Sequence, residues 1–86
     1  MVSKEFTIKN STGLHARPAN NLCKLCKSFQ SDIRILSGGK KLNAKSIVSI
    51  LTGELVKGKF IQVTANGEDE NEAMTALTEF FDNLSD

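Results

Sequence analysis

A chain of 86 residues with 11 basic and 10 acidic side chains, a net charge of +1, has room for one modest core and none for a separate catalytic domain. The near-neutral balance argues against a dedicated nucleic-acid binder, and no apolar run approaches the roughly 20 residues that a membrane span requires. The opening Met1-Val2-Ser3-Lys4-Glu5-Phe6 has neither the basic flank nor the apolar stretch of a secretory leader, so a cytoplasmic protein without membrane insertion is expected.

In chain order, Val2 to Ile8 alternates with Phe6 and Ile8 on one face, as a half-buried strand does. A loop from Lys9 to Leu14 leads into a helix that runs to about Ser28. Its apolar stripe is Ala19, Leu22, Cys23, Cys26 and Phe29, at the i, i+3, i+4, i+7 spacing of a buried helix face. Both cysteines lie on that stripe. Their CxxC spacing would suit a redox couple or half of a zinc site, but there is no second such pair and His15 is the only histidine. Buried packing without a metal is the expectation.

A second strand, Asp32 to Leu36, buries Ile33 and Ile35. The Ser37-Gly38-Gly39 stretch turns it into a short third strand, Lys40 to Asn43. Ser46 precedes the apolar cluster Ile47, Val48, Ile50 and Leu51, where its hydroxyl is placed to cap a short helix ending near Gly53. After a turn at Lys57-Gly58, the strand Lys59 to Ala65 directs Ile61, Val63 and Ala65 inward, and Asn66-Gly67 breaks it. The last helix opens at Asp69, with Glu72 at capping-box spacing, and buries Ala73, Leu77, Phe80 or Phe81, and Leu84. The order βαββαβα makes an α+β open-faced β-sandwich, because three helices can cover only one face of a four-stranded sheet.

The chemistry is concentrated in Gly13-Leu14-His15-Ala16-Arg17-Pro18-Ala19-Asn20, where the loop gives way to the first helix. Gly13 permits a positive φ, and Pro18 sits in the first helical turn, where a missing N–H costs least. The backbone amides of Ala16 and Arg17 are then free to bind phosphate, aided by the helix dipole and the guanidinium of Arg17. His15 supplies a neutral, nucleophilic imidazole nitrogen at the same spot, since a helix N-terminus disfavours the imidazolium. A lone histidine is more often a surface cap; its clustering with Gly13, Arg17 and Pro18 favours a phosphorylated His15.

The run Gly13 to Ala19 has every letter of G-[LI]-H-A-R-P-A, and over essentially its whole length the chain resembles the histidine-containing phosphocarrier (HPr) proteins of the bacterial phosphoenolpyruvate-dependent sugar phosphotransferase system. The resemblance implies a single domain over residues 1–86, a sheet ordered 1-4-2-3, and a stoichiometric carrier needing no cofactor. It implies that His15, through Nδ1, accepts a phosphoryl group from enzyme I and passes it to enzyme II A components, while Arg17 steadies the phosphate. It makes Ile47, Val48 and Leu51 a docking patch rimmed by Arg17, Lys24 and Lys27, on a monomer.

In some HPr proteins the position of Ser46 is phosphorylated by a kinase/phosphorylase, and that form partners a catabolite control protein. A plain helix cap accounts for the serine equally well. One departure stands out: after Leu51 the family continues with a polar residue and then Leu-Gly, whereas this chain has Thr52-Gly53-Glu54-Leu55. Competing readings are a regulatory module that works through Ser46 alone, a nitrogen-related carrier, and a thiol redox protein built on Cys23 and Cys26.

Overall fold

The computed structural model describes residues 1–84 of the chain. The elements follow the expected order: β1 (Val2–Thr7), α1 (Ala16–Lys27), β2 (Asp32–Ser37), β3 (Lys40–Asn43), α2 (Ile47–Thr52), β4 (Phe60–Asn66) and α3 (Glu70–Asp82). The strands form one antiparallel sheet in the order β1-β4-β2-β3.

Register follows from the two-residue period of the side chains. Phe6 pairs with Ile61, and Ile35 pairs with both Val63 and Leu42, so one face carries a continuous apolar layer. All of these side chains are buried beneath the helices together with Ile33, Ala65 and Ile8. On the other face Glu5 lies opposite Gln62, Gln62 opposite Leu36, and Leu36 opposite Lys41, a mostly polar row open to solvent. The hairpin between β2 and β3 is a two-residue turn with Gly38 at φ 54° and Gly39 at φ 83°, which side-chain-bearing residues would adopt only under strain.

The α1 stripe buries Ala19, Leu22, Cys23 and Cys26 as expected, but Phe29 falls beyond the helix, which ends at Lys27, and is only half-buried. On α3 the choice between adjacent phenylalanines resolves in favour of Phe81. Its ring stacks on Phe6 with centroids 4.6 Å apart, while half-buried Phe80 meets Phe81 edge-on. A buried aromatic of this kind contributes about 2 kcal/mol through burial, with somewhat more from the ring pair. Leu84 packs half-buried at the margin of the core.

The start of α3 departs from expectation. Asp69 makes no side-chain cap, and no Asp69–Glu72 capping box forms. Instead the Asp69 carboxylate accepts hydrogen bonds from the Gln30 N–H at 2.8 Å, the Ser31 N–H at 2.9 Å and the Ser31 hydroxyl at 2.5 Å. Three donors at the buried entrance to β2 outcompete one orphan amide on its own helix. Glu70 takes over part of the capping role by accepting from the Gly67 N–H at 3.1 Å.

Candidate functional site

The loop that carries the histidine is built before the histidine is reached. Asn10 is buried, and its side-chain amide nitrogen donates to the Gly13 carbonyl at 2.8 Å while its backbone carbonyl accepts from the Gly13 N–H at 3.1 Å. Gly13 adopts φ 66°, and a Cβ there would stand 2.4 Å from the Leu55 carbonyl oxygen. Glycine is required both by the backbone angle and by the close approach. Leu14 then plugs into the core and donates its N–H to Leu55 O at 2.7 Å.

His15 follows as the N-cap of α1, in an extended conformation with φ −81° and ψ −167°, its side chain exposed and making no cap hydrogen bond. Its carbonyl accepts the Ala19 N–H at 2.9 Å. Pro18 has no N–H to offer, so among the described residues the first-turn amides without a partner are those of Ala16 and Arg17. The histidine therefore caps with its backbone alone and leaves its ring free. Exposed Arg17 lies two residues on. A phosphoryl group on the His15 ring would meet two N–H donors, the positive end of α1 and a guanidinium.

His15 and Arg17 also stand at the mouth of a groove between α1 and α3, whose walls include Leu25, Glu79, Phe80 and Leu84. Sequence periodicity did not bring α3 to this site, because which helices neighbour one another is a tertiary fact. Asn10 was missed as well. Its signal was present, since Asn at the first position and Gly at the fourth is a common turn pattern.

Ser46 caps α2, as its position predicts, accepting from the Ser49 N–H at 3.3 Å. Just before it, the Lys45 ammonium donates to the Phe29 carbonyl at 2.8 Å, beyond the C-terminal end of α1. Ser46 thus lies toward the C-terminal end of α1 and His15 at its N-terminal end, the helix between them being about 18 Å long.

Lys24 and Lys27 lie in the last turn of α1, exposed and on the Ser46 side. Of the three expected rim cations, Arg17 is the one that lines the same groove as His15. Of the apolar residues on α2, Ile50 is fully buried, while Ile47, Val48 and Leu51 are 36%, 72% and 43% exposed. Val56, beyond the end of α2, is also exposed, at 57%. Ile47, Val48 and Leu51 are exposed apolar side chains on one short helix, the kind of surface that transient partners use.

The cysteines are free thiols packed in the core. Burial, reinforced by the neighbouring Cys23, pushes the Cys26 thiol up to about 12, against a smaller opposing effect of Lys45. A thiol so far from its thiolate form is a poor nucleophile and a poor metal ligand. Among the described residues no group of three His, Cys, Asp or Glu side chains gathers as a metal site, and no helix is long and apolar enough to cross a membrane.

Comparison with known proteins agrees with this architecture. The family model described as the PTS HPr component phosphorylation site matches residues 2–83. A phosphocarrier protein HPr from Xylella fastidiosa is 40% identical over 83 residues, covering 96% of this chain and 93% of that protein. Among solved structures, HPr-C-His from Thermoanaerobacter tengcongensis superimposes with a TM-score of 0.92 at 39% identity, covering 95% of this chain and 92% of that one. An HPr dimer from the same organism gives a TM-score of 0.76 at 39% identity, covering 95% and 94%. With a matching family model over nearly its whole length and the same strand order, this chain belongs to the HPr family of the phosphotransferase system.

Proposed function

We propose that this chain is a single-domain cytoplasmic phosphoryl carrier, loaded on His15 by enzyme I and unloaded by enzyme II A components. The observation that carries this reading is the exposed His15 ring beside the unpaired Ala16 and Arg17 amides and the Arg17 side chain. In the loading step Nδ1 of His15 attacks phosphorus in line with a phosphorylated nitrogen of the donor. One N–P bond forms as the other breaks, and the Nε2 proton that the His15 ring gives up to solvent is matched by the one the donor ring takes up as it leaves as neutral imidazole, so no proton is consumed overall. The two amides and Arg17 hold the equatorial oxygens, so this chain contributes charge stabilisation and alignment. The group leaves by the reverse process, and the carrier is regenerated.

Partners dock on Ile47, Val48 and Leu51, with Arg17, Lys24 and Lys27 steering acidic surfaces toward the strip. The chain works as a monomer, because both roles need this face free. Phosphorylation of Ser46 by a kinase/phosphorylase would place a dianion at the end of the docking strip remote from His15. It would act on partner binding, including that of a catabolite control protein, and leave the histidine chemistry intact.

Incubation with enzyme I and phosphoenolpyruvate should give acid-labile phosphate on His15, and none on a folded His15→Ala variant. Transfer to an enzyme II A component by that variant would sink the carrier reading. Acid-stable phosphate on Ser46 after incubation with kinase and ATP tests the regulatory part, and its absence removes that part alone.

A further inference from the structure

The near-neutral net charge conceals a separation of charge that the fold creates. In the sheet order β1-β4-β2-β3, the end of β1, the start of β4 and the turn between β2 and β3 lie together. This end carries Lys9, Lys40, Lys41, Lys57 and Lys59, five of the 11 basic residues, across three strand spacings, about 14 Å. The ladder continues past β1, with the Ile8 N–H donating to the Lys59 carbonyl at 3.0 Å and the Gly58 N–H to the Ile8 carbonyl at 2.8 Å, which seats Lys9 beside the turn that holds Lys57. A Cβ on Gly38 would stand 3.7 Å from the Lys59 ammonium, so that charge lies by the turn between β2 and β3. Asp32, Glu68, Asp69, Glu70 and Glu72 collect at the opposite end, at the start of β2 and after β4.

The ion pairs among the described residues join Met1 to Glu70 and Arg34 to Asp32, so none of the five lysines is neutralised. Lys40 reaches the Thr52 carbonyl at 3.5 Å, while Lys9, Lys41 and Lys57 are exposed. Phe60 stands among them at the start of β4, opposite Thr7, on the open face of the sheet. It is 58% exposed, whereas Ile61, Val63 and Ala65 of the same strand point into the core, and the other four phenylalanines belong to the core or pack against it. Glu5, two residues before Thr7 on β1, is the nearest carboxylate along that face and leaves the patch cationic. A large ring left in water and surrounded by ammonium groups has the anatomy of a small interface, an aromatic anchor inside a charged rim.

We infer that this end of the sheet is a second docking surface, which takes an acidic segment of a partner protein and packs one apolar side chain of that segment on Phe60. In an extended segment alternate side chains face the same way, so carboxylates recur about every 7 Å and roughly three of them span the patch. A single-stranded nucleic acid fits less well. It calls for successive stacking platforms, and Phe60 is the one aromatic on this face in a chain without Trp or Tyr. A second copy of this chain would have to offer its acidic end, where Asp69 is taken up by Gln30 and Ser31, Glu70 by Met1 and Asp32 by Arg34, leaving Glu68 and Glu72. The inference does not rest on the carrier reading, because a segment held at Phe60 lies across the sheet from α1 and α2.

Amide NMR shifts of the labelled protein, titrated with a synthetic peptide of glutamates around one central leucine, test this surface. At low salt the peptide should bind saturably, shifting Thr7, Lys9, Lys41 and Phe60 and sparing α1. Phe60→Thr, which keeps a strand-forming residue on β4, should weaken binding about tenfold, the effect of losing an aromatic anchor. Lys41→Gln combined with Lys57→Gln should weaken it about fivefold and flatten its dependence on ionic strength. A peptide with serine in place of leucine should bind the unaltered protein and Phe60→Thr equally, and melting curves establish that each variant is folded. An affinity unchanged in Phe60→Thr, shifts confined to the helices, or tighter binding of a thymidine oligonucleotide or of phosphatidylglycerol vesicles overturns the inference. Shifts at Glu68 and Glu72 that grow with protein concentration alone would make a second copy the occupant and overturn it as well.

Discussion

The Leu14 N–H donates to the Leu55 carbonyl at 2.7 Å, fastening the loop that presents His15 to the segment that follows α2. The same carbonyl oxygen lies where a side chain on Gly13 would begin. Two distant stretches of chain thus share one point of contact, and the placement of the histidine depends on it.

Gly13→Ala is therefore expected to cost about 2–4 kcal/mol of stability, combining left-handed strain with a backbone clash that neither segment can relieve alone. Urea denaturation measures the cost. Transfer from enzyme I, assayed on protein shown to be folded, should fall further than stability alone explains, because the displaced loop carries Leu14 and His15 with it.

Asp69 links stability to acidity. The Ser31 hydroxyl, followed by the Gln30 N–H, holds its carboxyl below the ordinary value of 3.8. A carboxylate with a lower pKa in the folded state contributes fully above its unfolded pKa and loses that contribution as pH falls through the folded value. Stability should therefore decline below about pH 4. Asp69→Asn should be less stable at pH 7 and show a shallower decline in this acid range, as followed by denaturation midpoints from pH 7 to 2. Some slope will remain, since Glu70 is lowered by its bond from the Gly67 N–H.

Native Cys26 should resist thiol reagents at pH 8, because burial has raised it to about 12. Labelling should become fast only under denaturing conditions. Rapid modification of both thiols in the folded protein would restore the redox reading. Cys23→Val with Cys26→Ala should retain phosphotransfer, since a largely apolar stripe is kept at similar total volume.

Ser46→Ala should destabilise the protein by about 1 kcal/mol through loss of the bond from the Ser49 N–H. Ser46→Asp restores a capping acceptor and should recover most of this in thermal melts. If Ser46 lies within the partner's footprint, the aspartate variant is nevertheless loaded more slowly by enzyme I at low salt, while the alanine variant is loaded normally. Equal rates for both would place Ser46 outside the docking surface.

Elements and core were legible because period and punctuation are local properties. The alternation around Phe6, Ile35 and Val63 and the Gly38-Gly39 turn are written in neighbouring residues. Strand order was not, and came from the family resemblance carried by the histidine motif. Asp69 shows why local signals mislead: its spacing to Glu72 reads as a cap, yet its partners Gln30 and Ser31 are almost forty positions away. Burial of a serine that needed an acceptor decided the outcome. The same applies to Gly53, which needs to be glycine because Leu42, from a distant strand, occupies the space a side chain would fill. The histidine, arginine and two amides were legible because consecutive residues build them; the groove wall supplied by α3 was not.

If His15 is the residue that carries the phosphoryl group, its open setting also fixes a lifetime. A phosphoryl group on that exposed ring, with no lid over it among the described residues, would be open to water as well as to a protein, so its hydrolysis would begin on loading. The loaded carrier would be a perishable shuttle, useful only while the wait for an acceptor is shorter than its half-life. Access and shelf life are opposite ends of one design choice, and a shallow site at a helix tip favours access.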